Sequence, residues 1–146
     1  MAATPGNVVD YSLVAAELAA MNQRYEVVNY FSDPWRLEYL RQLLPEEIQS
    51  KFVEIPQTMA GMSCGMSEIE RMMRTGELTH GKNPVARWSF GNTRIAVDGN
   101  NNTKPLKNKS IERIDPTVAL INVMAGAIKM EPKRSVYEER GLRTVG

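Results

Sequence analysis

Apolar residues recur along the first half of the chain at spacings that change from helical to extended and back. Leu13, Val14, Leu18 and Met21 follow one another at three- and four-residue intervals, which predicts an amphipathic helix over 11–23 with Asp10 as its N-cap. Residues 26–31 (Glu-Val-Val-Asn-Tyr-Phe) are β-branched and aromatic and read as a buried strand that ends at Ser32-Asp33-Pro34. Asp33 suits the cap of a second helix with Pro34 at its first position; that helix carries Trp35, Leu37, Tyr39, Leu40, Leu43 and Leu44 and stops before Pro45. Residues 51–55 read as a second strand, closed by Pro56. A loop rich in Met and Gly is expected over 57–65, then a short helix over 67–75 closed by Gly76. Helices and strands alternating in this order predict parallel strands joined by helical crossovers.

The second half has a different grammar. Asn83-Pro84 starts a short helix running through Trp88. Residues 93–97 alternate as a strand does, Asp98-Gly99-Asn100-Asn101-Asn102 is a turn, and residues 103–106 complete a β-hairpin. A basic stretch over 104–113 leads to the strongest helical pattern in the chain, 116–129, with Ile114, Val118, Ile121, Ala125 and Ile128 as its apolar stripe. Residues 1–9 read as an irregular lead-in. From 132 to 146 the chain is charged and poor in apolar residues, so a flexible tail is expected there. The reading is therefore an α/β domain over 1–131, with a hairpin and a long C-terminal helix, followed by the tail 132–146.

Composition narrows the classes. A chain of 146 residues that is 42% hydrophobic and 24% charged is one globular domain in size and content. No apolar run approaches the ~18 residues that span a bilayer, and the N-terminus lacks the pattern of a signal peptide. No membrane association and a cytoplasmic location are the expectation. One cysteine, Cys64, and one histidine, His80, exclude an internal disulfide, a zinc site built on paired cysteines and any paired-histidine motif. Cys64 reads as a small buried or loop residue and His80 as an exposed loop residue. Charge is divided: residues 1–79 sum to −5 and residues 80–146 to +6. A basic half is what a polyanion partner requires.

Candidate chemistry rests on two carboxylates. Asp33 follows a strand at its C-terminal end, where ligands of parallel α/β sheets collect. Asp115 opens the last helix. Carboxylates without His or Cys suit a hard cation such as Mg2+ or Mn2+, and two such ions together cleave phosphodiesters. Each Asp also precedes a Pro at a helix start, the pattern of a helix cap, and the two roles are compatible. Asp98 is accounted for by its turn. Lys104, Lys107, Lys109 and Arg113 lead into Asp115 and are candidates for holding DNA phosphates, with a solvated basic loop as the other reading. The methionines at 59, 62, 66, 72 and 73 read as gap-filling core or loop residues.

Several ordered segments resemble a known family. Residues 76–88 (Gly-Glu-Leu-Thr-His-Gly-Lys-Asn-Pro-Val-Ala-Arg-Trp), Lys104-Pro105-Leu106-Lys107 and residues 113–120 (Arg-Ile-Asp-Pro-Thr-Val-Ala-Leu) resemble the end of the nuclease domain of tailed-phage terminase large subunits. Residues 30–35 (Tyr-Phe-Ser-Asp-Pro-Trp) resemble that domain's strand with its acidic ligand, and residues 4–11 and 135–143 add to the likeness. The resemblance implies a partial RNase H-like fold and a two-metal endonuclease that cuts concatemeric double-stranded DNA during genome packaging. It implies Asp33 and Asp115 as catalytic metal ligands. A G-x-x-x-x-G-K-[ST] phosphate loop is missing from the sequence, and the strand that carries the family's first acidic residue has no counterpart here. The chain is therefore expected to be the C-terminal segment of a longer terminase, a split-gene product or a prophage remnant, inactive alone. Its expected partners are double-stranded DNA, the missing N-terminal part of the large subunit, and the portal protein and small terminase subunit, in the cytoplasm of a bacterial host. The alternative is a non-catalytic module that binds DNA or docks on the portal.

Overall fold

In the computed structural model the described residues are 9–35, 37–107, 109–110 and 112–130; the tail expected over 132–146 lies outside them. Asp10 caps helix α1 (Tyr11–Arg24), its Oδ1 accepting from the Ser12 N–H at 2.9 Å. The chain then leads into strand β1 (Tyr30–Ser32). Two short helices follow, α2 (Leu37–Gln42) and α3 (Glu46–Gln49), and strand β2 (Phe52–Glu54) pairs parallel with β1 in the register Tyr30↔Phe52, Phe31↔Val53, Ser32↔Glu54. The expected parallel pair with a helical crossover is present.

The extended segment is shorter than its sequence implies. Pairing is confined to Tyr30–Ser32, and Val28 is 74% exposed, so residues 26–29 are not the buried strand their β-branched side chains predict. Strand propensity describes a half-buried pleated surface, and no strand pairs with these residues among the described ones. The second helix also starts late, at Leu37, which leaves Trp35 in the preceding turn and 77% exposed.

The expected Met/Gly loop is instead helix. Helix α4 runs unbroken from Met59 to Thr75, with Thr58 as N-cap and left-handed Gly76 (φ 73°) closing it. Gly61 and Gly65 are buried on this helix. A Cβ at Gly65 would lie 2.5 Å from the Ile121 carbonyl oxygen and 2.8 Å from the Ala125 amide nitrogen. Gly65, which lowers helix propensity, is present because another helix passes at backbone distance, whereas a Cβ at Gly61 would meet the Pro56 carbonyl oxygen and Thr58 Oγ1.

That neighbour is α6 (Asp115–Met130). Between the two lie α5 (Pro84–Asn92), capped by Asn83, and a hairpin of β3 (Ile95–Val97) and β4 (Thr103–Pro105), paired antiparallel. Met62, Ile69, Ile114, Val118 and Ile121 form one buried cluster where α4 meets α6. The second cluster, Ala15, Leu44 and Ile48, packs with Leu18, Leu40, Tyr30 and Phe52. Successive strand residues point to opposite faces, so Tyr30 faces α1 while Phe31 faces α6, where its ring lies against Gly126. The result is a helix–sheet–helix sandwich with the hairpin set against α4, to which β4 is tied by the bond from the Thr103 N–H to Ser63 Oγ (3.2 Å).

Candidate nuclease site

Asp33 stands immediately after β1, at the C-terminal end of the parallel pair, half-buried. Its Oδ1 accepts from the Trp35 N–H at 3.0 Å. This is a local turn bond, and it occupies one lone pair of one oxygen. The other oxygen retains its acceptor capacity.

Asp115 is not the cap that the Asp-Pro pattern implies. It is the first residue of α6 proper, and the preceding Ile114 carbonyl takes the first helical bond, from the Val118 N–H at 3.0 Å. The Asp115 side chain is 60% exposed, and Lys107 Nζ lies 3.7 Å from its Oδ1. Ion pairs this open to water contribute about 0–1 kcal/mol, so the contact orients Asp115 without locking it. The cap is supplied from elsewhere. Ser89 Oγ, fully buried on α5, accepts the Thr117 N–H at 3.1 Å and shares a 2.7 Å hydrogen bond with Thr117 Oγ1.

The basic residues gather beside Asp115. Lys107, Ser110, Glu112, Arg113, Ile114 and Asp115 line an open depression of about 400 Å³. A second depression of about 220 Å³, lined by Gln57, Met62, Lys104, Pro105, Leu106 and Lys107, adjoins it through Lys107. Lys109 is exposed in the turn between β4 and α6, and Lys104 is half-buried on β4. Of the sequence-predicted residues, the structure thus brings Lys107 and Arg113 to the depression that Asp115 lines, and Lys104 to the adjoining one. Asp33 shares no hydrogen bond or ion pair with Asp115 among the described residues.

The remaining candidates are structural. Asp98 Oδ1 accepts from the amides of Asn100 (2.9 Å) and Asn102 (2.8 Å), and Oδ2 accepts from Asn102 Nδ2 (3.0 Å). The Asn102 side chain and amide hold its carboxyl below the ordinary range. His80 is an exposed turn residue, and Cys64 is half-buried on α4. Met62 is core at 2% exposure, whereas Met73 is 58% exposed. Sequence reasoning missed Ser89. Ser89 lies between Trp88, 46% exposed, and Phe90 on α5, and nothing local in the sequence marks it as the residue that faces inward.

As donors for a metal, Asp33 and Asp115 offer hard carboxylate oxygens, the type that Mg2+ and Mn2+ prefer. The donor chemistry fits; the number is short of a full cage, since no group of three or more His, Cys, Asp or Glu poised for a metal occurs among the described residues.

The sequence profile of the terminase large subunit endonuclease domain matches residues 2–131. The chain is similar to the terminase large subunit of Enterobacteria phage HK97, with 30% identity over 118 residues, covering 80% of this chain and 23% of that protein. It is similar to protein YmfN of Escherichia coli strain K12, with 31% identity over 147 residues, covering 97% of this chain and 32% of that protein. The crystal structure of the HK97 bacteriophage large terminase superimposes with a TM-score of 0.75 at 28% identity, over 84% of this chain and 26% of that one. The chain thus spans about a quarter to a third of the length of these relatives.

Proposed function

This chain belongs to the family of terminase large-subunit endonuclease domains, and from that premise we propose that it contributes the later half of a metal-dependent DNA-cutting site with an RNase H-like fold. The match of the family's profile to residues 2–131 carries the reading. The site geometry supports it: a carboxylate at the end of a parallel strand, a second at the start of α6, and a basic depression around the second.

The chain's own residues have separable tasks. Lys107, Arg113 and Lys104 neutralise phosphates and set the backbone of double-stranded DNA against α6, a contact that fixes position and carries no sequence information. Asp33 and Asp115 are the ligands this chain offers to Mg2+ or Mn2+. Such ions, when bound, supply an activated water and stabilise the leaving oxygen. Lys107 holds Asp115 as its counter-ion until a cation or a phosphate takes either partner.

Two carboxylates leave a two-metal site short of ligands, so residues 9–130 alone do not cut. The remaining ligand comes from another part of the large subunit, and the biological role is cleavage of concatemeric DNA during packaging, in the cytoplasm of a bacterial host, alongside the portal protein and the small terminase subunit. The test combines the chain with the N-terminal part of the nuclease domain and offers plasmid DNA with Mn2+. Cleavage should appear only in the mixture and should vanish with Asp33→Ala and with Asp115→Ala. Cutting that survives both substitutions would rule the reading out.

A further inference from the structure

We propose that Ser89 is a positioning residue for Asp115: its buried hydroxyl caps α6 from outside that helix and thereby frees the Asp115 carboxylate for a cation. The inference rests on the reading of Asp115 as a metal ligand, and it adds the device that makes the carboxylate available.

The amide hydrogens in the first turn of a helix have no partner within the helix. The usual remedy is an oxygen on the N-cap side chain, which takes the amide of the second or third helical residue. In α6 the N-cap position is Ile114, 2% exposed and without a side-chain oxygen. Pro116, the second helical residue, has no amide hydrogen. Thr117, the third, has one, and it is buried at 3% exposure. Two oxygens are positioned by sequence to take that amide. One is the Asp115 carboxylate, which would have to fold back over its own helix. The other is Ser89 Oγ, 28 residues earlier, and it is the one that does so, at 3.1 Å.

Ser89 is held for the task. It is fully buried on α5, its hydroxyl is paired with Thr117 Oγ1 at 2.7 Å, and its carbonyl accepts from Thr93 Oγ1 at 2.8 Å. Because the orphan amide is satisfied inside the core, the Asp115 carboxylate turns outward to the depression it lines with Lys107 and Arg113. The helix N-terminus still places its partial positive charge beside the carboxylate, so the ligand is kept close to the helix end without being consumed by it.

The experiment follows the Asp115 side-chain carboxyl carbon by NMR in the full chain, first without metal and then on addition of Mn2+. Ser89→Ala removes the external cap. The Asp115 carboxylate then takes the Thr117 amide, so its carboxyl resonance should move before any metal is added, and the Mn2+ concentration that broadens it should rise by about tenfold, as when a supporting contact behind a ligand is lost. Ser89→Cys, of similar volume and a weaker acceptor, carries the same expectation should the alanine variant fail to fold. Thr117→Ser keeps both hydroxyl and amide and should behave as the parent. A carboxyl resonance identical in the parent and in the Ser89 variants overturns the positioning role. A parent resonance that Mn2+ never broadens, even with the N-terminal part of the nuclease domain added, overturns the metal reading of Asp115 and leaves the result on Ser89 standing.

Discussion

Asp10, Asp33, Asp98 and Asp115 occupy similar contexts in the sequence, each opening a turn or a helix, and their surroundings give them different work. Asp10 and Asp98 spend their oxygens on neighbouring amides and side chains, and those bonds keep both carboxyls below the ordinary range. Asp33 spends one oxygen on Trp35, and Asp115 none on its own helix. The strongest local electrostatics lie elsewhere, around Arg71. Its guanidinium bonds to Glu68 and Glu77 together, lowering Glu68 and drawing the Glu77 carboxyl down to about 2. Because both folded values lie below the unfolded one of 4.5, the stabilisation is fully present above pH 4.5 and is lost as the pH falls towards about 2. The pair is solvent-exposed, so the effect is small. Thermal melts between pH 5 and 2, roughly the window named by these shifts, should fall less steeply for Arg71→Gln than for the parent; equal slopes would remove Arg71 as the cause.

At the scale of elements, the contact between α4 and α6 decides the architecture on the hairpin side. Gly65 lets the helices touch at Ile121 and Ala125, and Gly126 accepts the Phe31 ring, so α6 is clamped between α4 and β1 by two missing side chains. Gly65→Ala should destabilise the fold by about 1–3 kcal/mol, the usual cost of overpacking a tight core. Urea denaturation checks it, and an unchanged midpoint would mean the helices yield at no cost. The helices α1 and α6 and the hairpin are legible in the sequence because their apolar spacing, caps and turn residues are local. The continuous α4 is not. Gly61 and Gly65 lower the helix preference of its first half, and at position 65 only the presence of α6 makes glycine the residue that fits.

Across the whole molecule, two features govern behaviour. The first is charge. Three basic residues of the second half, Lys104, Lys107 and Arg113, line the two adjoining depressions. Reversal of Lys104, Lys107 and Lys109 to Glu should weaken binding to double-stranded DNA at every sequence alike and flatten its salt dependence, whereas Asp33→Ala should leave metal-free binding intact. A salt titration by fluorescence anisotropy reads both. If charge reversal leaves affinity unchanged, DNA does not lie on this face. The second feature is the sheet. Tyr30 and Ser32 spend their backbone groups on β2, through the bonds Tyr30 N–H to Lys51 O (2.9 Å) and Ile55 N–H to Ser32 O (2.8 Å). The Phe31 amide and carbonyl therefore point away from β2, along an edge that no strand covers among the described residues. An open edge of this kind pairs with other chains. Concentration-dependent association in size-exclusion chromatography is expected, relieved when the N-terminal part of the nuclease domain is present. A sharp monomer with a high melting temperature would contradict it.

The amino-acid order alone determined the alternation of helices and strands, the hairpin, the Asp33 and Asp115 candidates, the basic approach to α6 and, through its ordered segments, the family. These are properties of near neighbours along the chain, where spacing, capping and charge act over a few residues. Tertiary structure alone decided that residues 26–29 lie outside the sheet, that 59–65 is helix, that the cap of α6 comes from Ser89, and that Asp115 is left to face the basic depression. Each of those depends on atoms brought together from distant positions in sequence, where burial and a satisfied amide outweigh local preference.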